Sequence, residues 1–165
     1  MPRRSFAEFA CSLARSLDVI GDTWTPLILR DVFLGVDKFN DIARDLGVSR
    51  ALLADRLEHL VREGVLGETV YHQRPRRVRY TLTDGGRELV PILVALTQWG
   101  DRWRSGGEAP LEFTHECGAS LDAEVACGDC GRPLVAESIA ARPGPGGRMA
   151  PGTVVIAERL TREGT

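Results

Sequence analysis

Lys38–Leu82 reads KFNDIARDLGVSRALLADRLEHLVREGVLGETVYHQRPRRVRYTL, and its change of rhythm decides the fold. Phe39, Ile42, Ala43 and Leu46 recur at helical spacing, so residues 38–46 are expected as a short helix with one inward face. Gly47-Val48-Ser49 then reads as a tight turn, with Gly47 free to take positive φ and Ser49 placed as an N-cap. Leu53, Leu57, Leu60 and Val61 form one face of a second helix at 50–63, closed by Gly64. The period then drops to two. Leu66–Val70 and Val78–Leu82 read as strands, joined by the polar loop Tyr71–Arg77. Helix, tight turn, helix and hairpin in that order describe a winged helix-turn-helix.

Upstream, Phe6, Phe9, Leu13, Leu17 and Ile20 predict an amphipathic helix over 6–20 ending at Gly21. A further helix follows, capped by Asp22 or Thr23, with Pro26 in its first turn and Gly35 at its end. Downstream, Leu89, Ile92, Leu93, Leu96, Trp99 and Trp103 make an apolar stripe on a long helix bent at Pro91. Beyond Gly107 the helical pattern stops, and an Arg142-Pro-Gly-Pro-Gly-Gly147 stretch reads as flexible. The fold class is therefore mainly α with a small β-hairpin wing. Residues 1–105 are expected as one winged helix-turn-helix domain, and 106–165 as a small β-rich Cys/His-containing appendage.

Charge is unevenly spread. The net charge is −2, yet the chain carries 16 Lys/Arg against 14 Asp/Glu through residue 104 and 5 against 9 beyond it. A local basic surface is what DNA requires. Tyr71–Tyr80 holds Arg74, Arg76, Arg77 and Arg79 without an acid, a concentration that suits a phosphate backbone or minor groove. An arginine-rich turn can also be merely solvated. On the helix at 50–63, burying the leucines leaves Arg50, Ala51, Ala54, Asp55 and Glu58 outward. Ser49 and Arg50 stand at the end presented to bases, and the small alanines permit close approach to thymine methyls. Lys38 completes the candidate DNA contacts. Asp55 and Glu58 disfavour phosphate, which keeps open a protein-interaction adaptor on the same scaffold.

These residues resemble the HxlR-type transcriptional regulators, winged-helix proteins related to the MarR group. The resemblance rests on Cys11–Gly21 (CSLARSLDVIG), Trp24–Arg30 (WTPLILR), Phe39-Asn40, Leu57–Gly64 (LEHLVREG) and Tyr80–Gly86 (YTLTDGG), and spans about residues 10–104. It implies a homodimer joined through the N-terminal helix and helix 86–104, on a palindromic operator near its own or a neighbouring gene. The apolar stripes of those helices fit such burial between protomers. The expected function is a sequence-specific double-stranded DNA-binding regulator, a homodimeric repressor.

Cys11 stands where some members of that family carry a redox-sensing cysteine. Arg15 and Arg4 could favour its thiolate, while a small cysteine on a helix also reads as a packed apolar residue. His115, Cys117, Cys127 and Cys130 supply the donors of a tetrahedral structural zinc site, with a metal-free ribbon or a thiol pair as alternatives. No cofactor is required by the function. Trp24, Trp99 and Trp103 could enclose a small-molecule effector, or serve simply as core. No nucleophile–base set, phosphate loop or paired carboxylates occur, so an enzyme is not expected. The N-terminus lacks the long apolar run of a signal peptide, and no stretch is long enough for a membrane span. A cytoplasmic protein with reduced cysteines is expected.

Overall fold

The computed structural model describes residues 5–163, so Arg4 lies outside the described residues. Helices α1 (Ser12–Ile20), α2 (Thr25–Phe33), α3 (Phe39–Leu46) and α4 (Arg50–Arg62) precede an antiparallel hairpin of β1 (Leu66–Gln73) and β2 (Arg76–Leu82). Helix α5 (Asp84–Arg104), a 3₁₀ turn (Ala136–Ser138) and α6 (Val154–Glu163) complete the order. The expected winged helix-turn-helix is present.

Two compact units divide the chain. One runs from Pro26 to Pro133, and the other combines residues through Thr25 with those from Leu134 onward. Within the larger unit, residues 121 and 123 are bonded back to α5. Gln98 donates from Nε2 to the Leu121 carbonyl and accepts at Oε1 from the Ala123 N–H at 2.7 Å.

In the larger unit, Ile28, Leu29, Ile42, Leu53, Leu57, Leu60 and Leu66 are each at most 2% exposed and form the core. Each such side chain contributes about 1.5–3 kcal/mol by leaving water. They come from α2, α3, α4 and β1, so the hydrophobic effect fixes the attitude of α4. Gly47 takes φ 61°, turning the chain between α3 and α4, and Ser49 Oγ accepts the Leu52 N–H at 3.3 Å. The hairpin is anchored where α5 begins. A Cβ on Gly86 would fall 2.3 Å from the Val65 carbonyl oxygen, so only glycine fits there. Thr83 caps α5 at the Gly86 N–H and donates its hydroxyl proton toward the Gly64 and Val65 carbonyls.

Asp31 is the buried charge of this unit, 2% exposed, with one carboxylate oxygen on Arg30 at 2.7 Å and the other without a partner. Desolvation raises its pKa above the ordinary carboxylate value, against the lowering effect of Arg30. Arg30 also reaches Asp45 at 3.2 Å, tying α2 to α3.

Four sequence expectations are corrected. The first helix begins at Ser12, not residue 6. Phe6 and Phe9 stack edge-to-face at 5.0 Å, and the Phe6 N–H binds Asp18 at 2.7 Å, so this segment folds back on α1. The hairpin loop is far shorter than Tyr71–Arg77, because Tyr71, His72 and Gln73 extend β1 and Arg76 and Arg77 extend β2. The C-terminal region is not β-rich: it holds the single-residue bridges Thr114–Ser120 and Ala126–Pro133. Finally, helical structure returns in α6, where the β-branched run Val154-Val155-Ile156 masks the period. Helix α5, by contrast, is continuous through Pro91.

Candidate nucleic-acid interface

The candidate surface is assembled from three pieces of chain. Asp37 and Lys38 run beside β2, with the Tyr80 N–H donating to the Asp37 carbonyl at 2.8 Å and Lys38 bridging to Arg79. The approach to α3 thereby becomes a short third edge of the wing. Helix α4 starts one tight turn after α3 ends. Between these elements lies a polar cleft of about 630 Å³ lined by Lys38, Asn40, Arg50, Tyr71, Arg76 and Arg77, with Asp41 its one acid. Of the expected DNA contacts, Lys38, Arg50, Arg76 and Arg77 line this concavity, whereas Ser49, Ala51, Ala54, Arg74 and Arg79 do not.

Individual arginines differ in how firmly they are held. Arg50 donates to Asn40 Oδ1 at 2.9 Å and lies over the Phe39 ring at 4.8 Å, so it is fixed against α3. Arg76 binds Glu68 across the hairpin at 3.0 Å, and Arg79 pairs with Asp37 at 3.5 Å. Arg74 and Arg77 are exposed and have no ion pair among the described residues. Tyr71 carries Lys38 and Arg79 against its ring, at 5.5 and 5.8 Å from the centroid. Tyr80 is buried at the base of the cleft, and burial raises its pKa, keeping the phenol neutral.

On α4, Ala51, Ala54, Asp55 and Glu58 are exposed together, as the leucine spacing requires. Asp55 is drawn to Arg56 at 3.3 Å. Sequence reasoning missed Asn40 and Tyr71. Asn40 sits on the polar side of α3, where the 3.6-residue period assigned it to solvent. Tyr71 was placed in a loop, and its role follows only from the longer β1.

A model of the HxlR-like helix-turn-helix family matches residues 19–108, more than half of the chain. The chain belongs to the HxlR-like helix-turn-helix family. It is 39% identical over 137 residues to the uncharacterized HTH-type transcriptional regulator Rv3095 of Mycobacterium tuberculosis, a match covering 82% of this chain and 87% of that one. The crystal structure of PA1607, described as a candidate transcription factor, superimposes with a TM-score of 0.75 at 37% identity, covering 86% of this chain and all of that one. The redox regulator HypR in its oxidised form matches with a TM-score of 0.51 at 32% identity, over 57% of this chain and 98% of that one. This HxlR-like chain is therefore a helix-turn-helix transcriptional regulator and not an enzyme. Among its described residues no helix is long and apolar enough to cross a membrane.

The remaining candidate residues of this regulator lie elsewhere. Cys11 is half-buried at the N-cap of α1, and Arg15 turns its Nε to the Phe9 carbonyl at 3.2 Å. His115 and Cys117 share one turn, in which His115 Nδ1 accepts the Cys117 N–H at 3.3 Å. Cys127 and Cys130 share another. The Cys130 thiol pKa is lowered by the Arg132 backbone N–H, then by the Arg132 side chain and Cys127. The structure does not join the two turns: among the described residues no three His, Cys, Asp or Glu side chains form a group able to hold a metal ion. Trp24 belongs to the smaller unit and is half-buried. Trp99 and Trp103 stand 44% and 66% exposed on α5, with Arg104 over the Trp99 ring at 5.3 Å.

Proposed function

We propose that this HxlR-like regulator binds double-stranded DNA as a homodimer and represses transcription from a palindromic operator. The observation that carries the reading is the cleft where Lys38, Arg50, Arg76 and Arg77 converge from the α3 edge, α4 and the wing. Four cations against one acid in a concave groove suit a sugar–phosphate backbone. The exposed alanines of α4 leave room for base edges beside it, and Ser49 sets the helix end that approaches them. Arg74 and Arg77 at the wing tip add affinity through phosphates or the minor groove.

The dimer is supported by exposed apolar stripes. Leu13 and Leu17 are 68% and 42% exposed on α1, and Ile92, Leu96, Trp99 and Trp103 share one exposed face of α5. Exposed rows of this kind are characteristic of surfaces buried in assemblies. A two-fold dimer places two reading helices one or more helical turns apart, matching a palindrome.

The test is fluorescence anisotropy with DNA from upstream of the regulator's own gene, alongside sedimentation of the free protein. Tight binding at low salt that weakens steeply as salt rises, by a species of twice the chain mass, is expected. A monomer that ignores DNA at low salt would favour the adaptor reading instead.

A further inference from the structure

An apolar cavity of about 680 Å³ lies within the larger unit, on the flank of α5 that faces residues 113–126. Val90, Val94 and Ala95 of α5 form one wall, Phe33 of α2 the end, and Phe113 and Leu121 the opposite wall. Its size falls in the range of small-molecule sites. The opposite wall is built into the fold by specific bonds. The Gln98 side-chain amide holds the backbone at Leu121 and Ala123, the Leu121 N–H donates to the Phe113 carbonyl at 2.8 Å, and Phe113 meets Phe33 at 6.5 Å between ring centroids. The Thr114–Ser120 bridge closes the loop between them.

Charge around the cavity is one-sided. Glu116 and Glu124 border it, no lysine or arginine lines it, and neither carboxylate has an ion pair among the described residues. His115 also lines the cavity, with its Nδ1 accepting the Cys117 N–H at 3.3 Å. An apolar chamber edged by two unpaired carboxylates attracts a ligand that is bulky, hydrophobic and positively charged. It repels an anion of the same shape, and the attraction strengthens as the ligand displaces water.

We propose that this cavity is a binding site for a hydrophobic organic cation, held by the apolar walls and by Glu116 and Glu124. Because Phe33 ends α2, an occupant touches the helix that precedes α3. The site stands apart from the cationic cleft and does not depend on how that cleft is used.

Two probes of nearly identical shape and opposite charge separate the alternatives: tetraphenylphosphonium and tetraphenylborate, titrated calorimetrically into the full chain without DNA. Wild type is expected to bind the cation at least about tenfold more tightly than the anion, the scale of two unpaired carboxylates at a solvent-exposed rim. Glu116→Gln with Glu124→Gln, both at exposed positions, should collapse that preference while circular dichroism stays unchanged. Ala95→Phe, which fills the chamber, should weaken both probes. Equal or tighter binding of the anion by wild type would overturn the proposal, as would a cation preference that survives the double glutamine variant. Cation binding that disappears as protein concentration rises through self-association would also overturn it, identifying the cavity as a seat for a second copy of the chain.

Discussion

Helix α4 and the wing approach the same cleft with opposite chemistry. Residues 50–58 of α4 expose two alanines, two acids and one arginine, which is already hydrogen-bonded to Asn40. The wing offers arginines at 74, 76, 77 and 79, two of them without an ion pair among the described residues. The helix is rigidly seated by three leucines at most 1% exposed, whereas β1 beyond Gly67 and most of β2 are solvent-exposed. On the proposed DNA-binding reading, a chain with net negative charge divides the work. The core-anchored helix supplies shape, and the exposed hairpin supplies charge.

The largest expected effect tests the anchoring of α4. Leu57→Ala should lower unfolding stability by about 2–5 kcal/mol in urea denaturation, because the cavity left between the helices cannot fully collapse. A loss below about 1 kcal/mol would mean that α4 is not locked in the core as described. Next comes charge in the wing. Arg77→Ala should weaken DNA binding across unrelated sequences, removing about 0.9 from the salt slope, the contribution of one neutralised phosphate. The acids of α4 come third. Asp55→Ala should tighten binding by a few-fold at low salt and not at high salt, as expected of exposed like-charge repulsion that ions screen. If Asp55→Ala weakens binding instead, Asp55 makes a favourable contact and the division of labour fails.

The smallest effect concerns Asp31 beneath this surface. Its folded pKa is raised, mainly by desolvation, so the native state holds a proton more tightly than the unfolded chain. The favourable contribution is full below the unfolded value of about 3.8 and is lost as pH rises through the folded value. Asp31→Asn should therefore gain stability relative to wild type as pH increases from acid toward neutral, read from paired thermal melts. A difference that shrinks with pH would show that Arg30 outweighs burial.

Legibility followed periodicity. The helix-turn-helix was readable because Leu53, Leu57 and Leu60 repeat at 3.6 residues and because Gly47 and Ser49 punctuate them. The wing was readable in kind but not in length, since Tyr71-His72-Gln73 carry no alternation, and Tyr71 falls at a bulge before His72 and Gln73 pair with Arg77 and Arg76. Asn40 acquires meaning through Arg50, ten residues away, and Gln98 through carbonyl and amide groups more than 20 residues downstream. No local pattern encodes such partners. For the four donors at 115, 117, 127 and 130, spacing offered a ligand set, while among the described residues no three His, Cys, Asp or Glu side chains group together.

The most direct measurement is the salt dependence of binding to the regulator's own upstream DNA, compared between wild type, a wing double variant and an α4 double variant. Arg76→Ala with Arg77→Ala should flatten the slope of log affinity against log salt by about 1.8, while Ala51→Ser with Ala54→Ser leaves the slope unchanged and alters sequence preference. An unchanged slope in the wing variant, or a flattened one in the α4 variant, would contradict the division between a helix that reads shape and a wing that supplies charge.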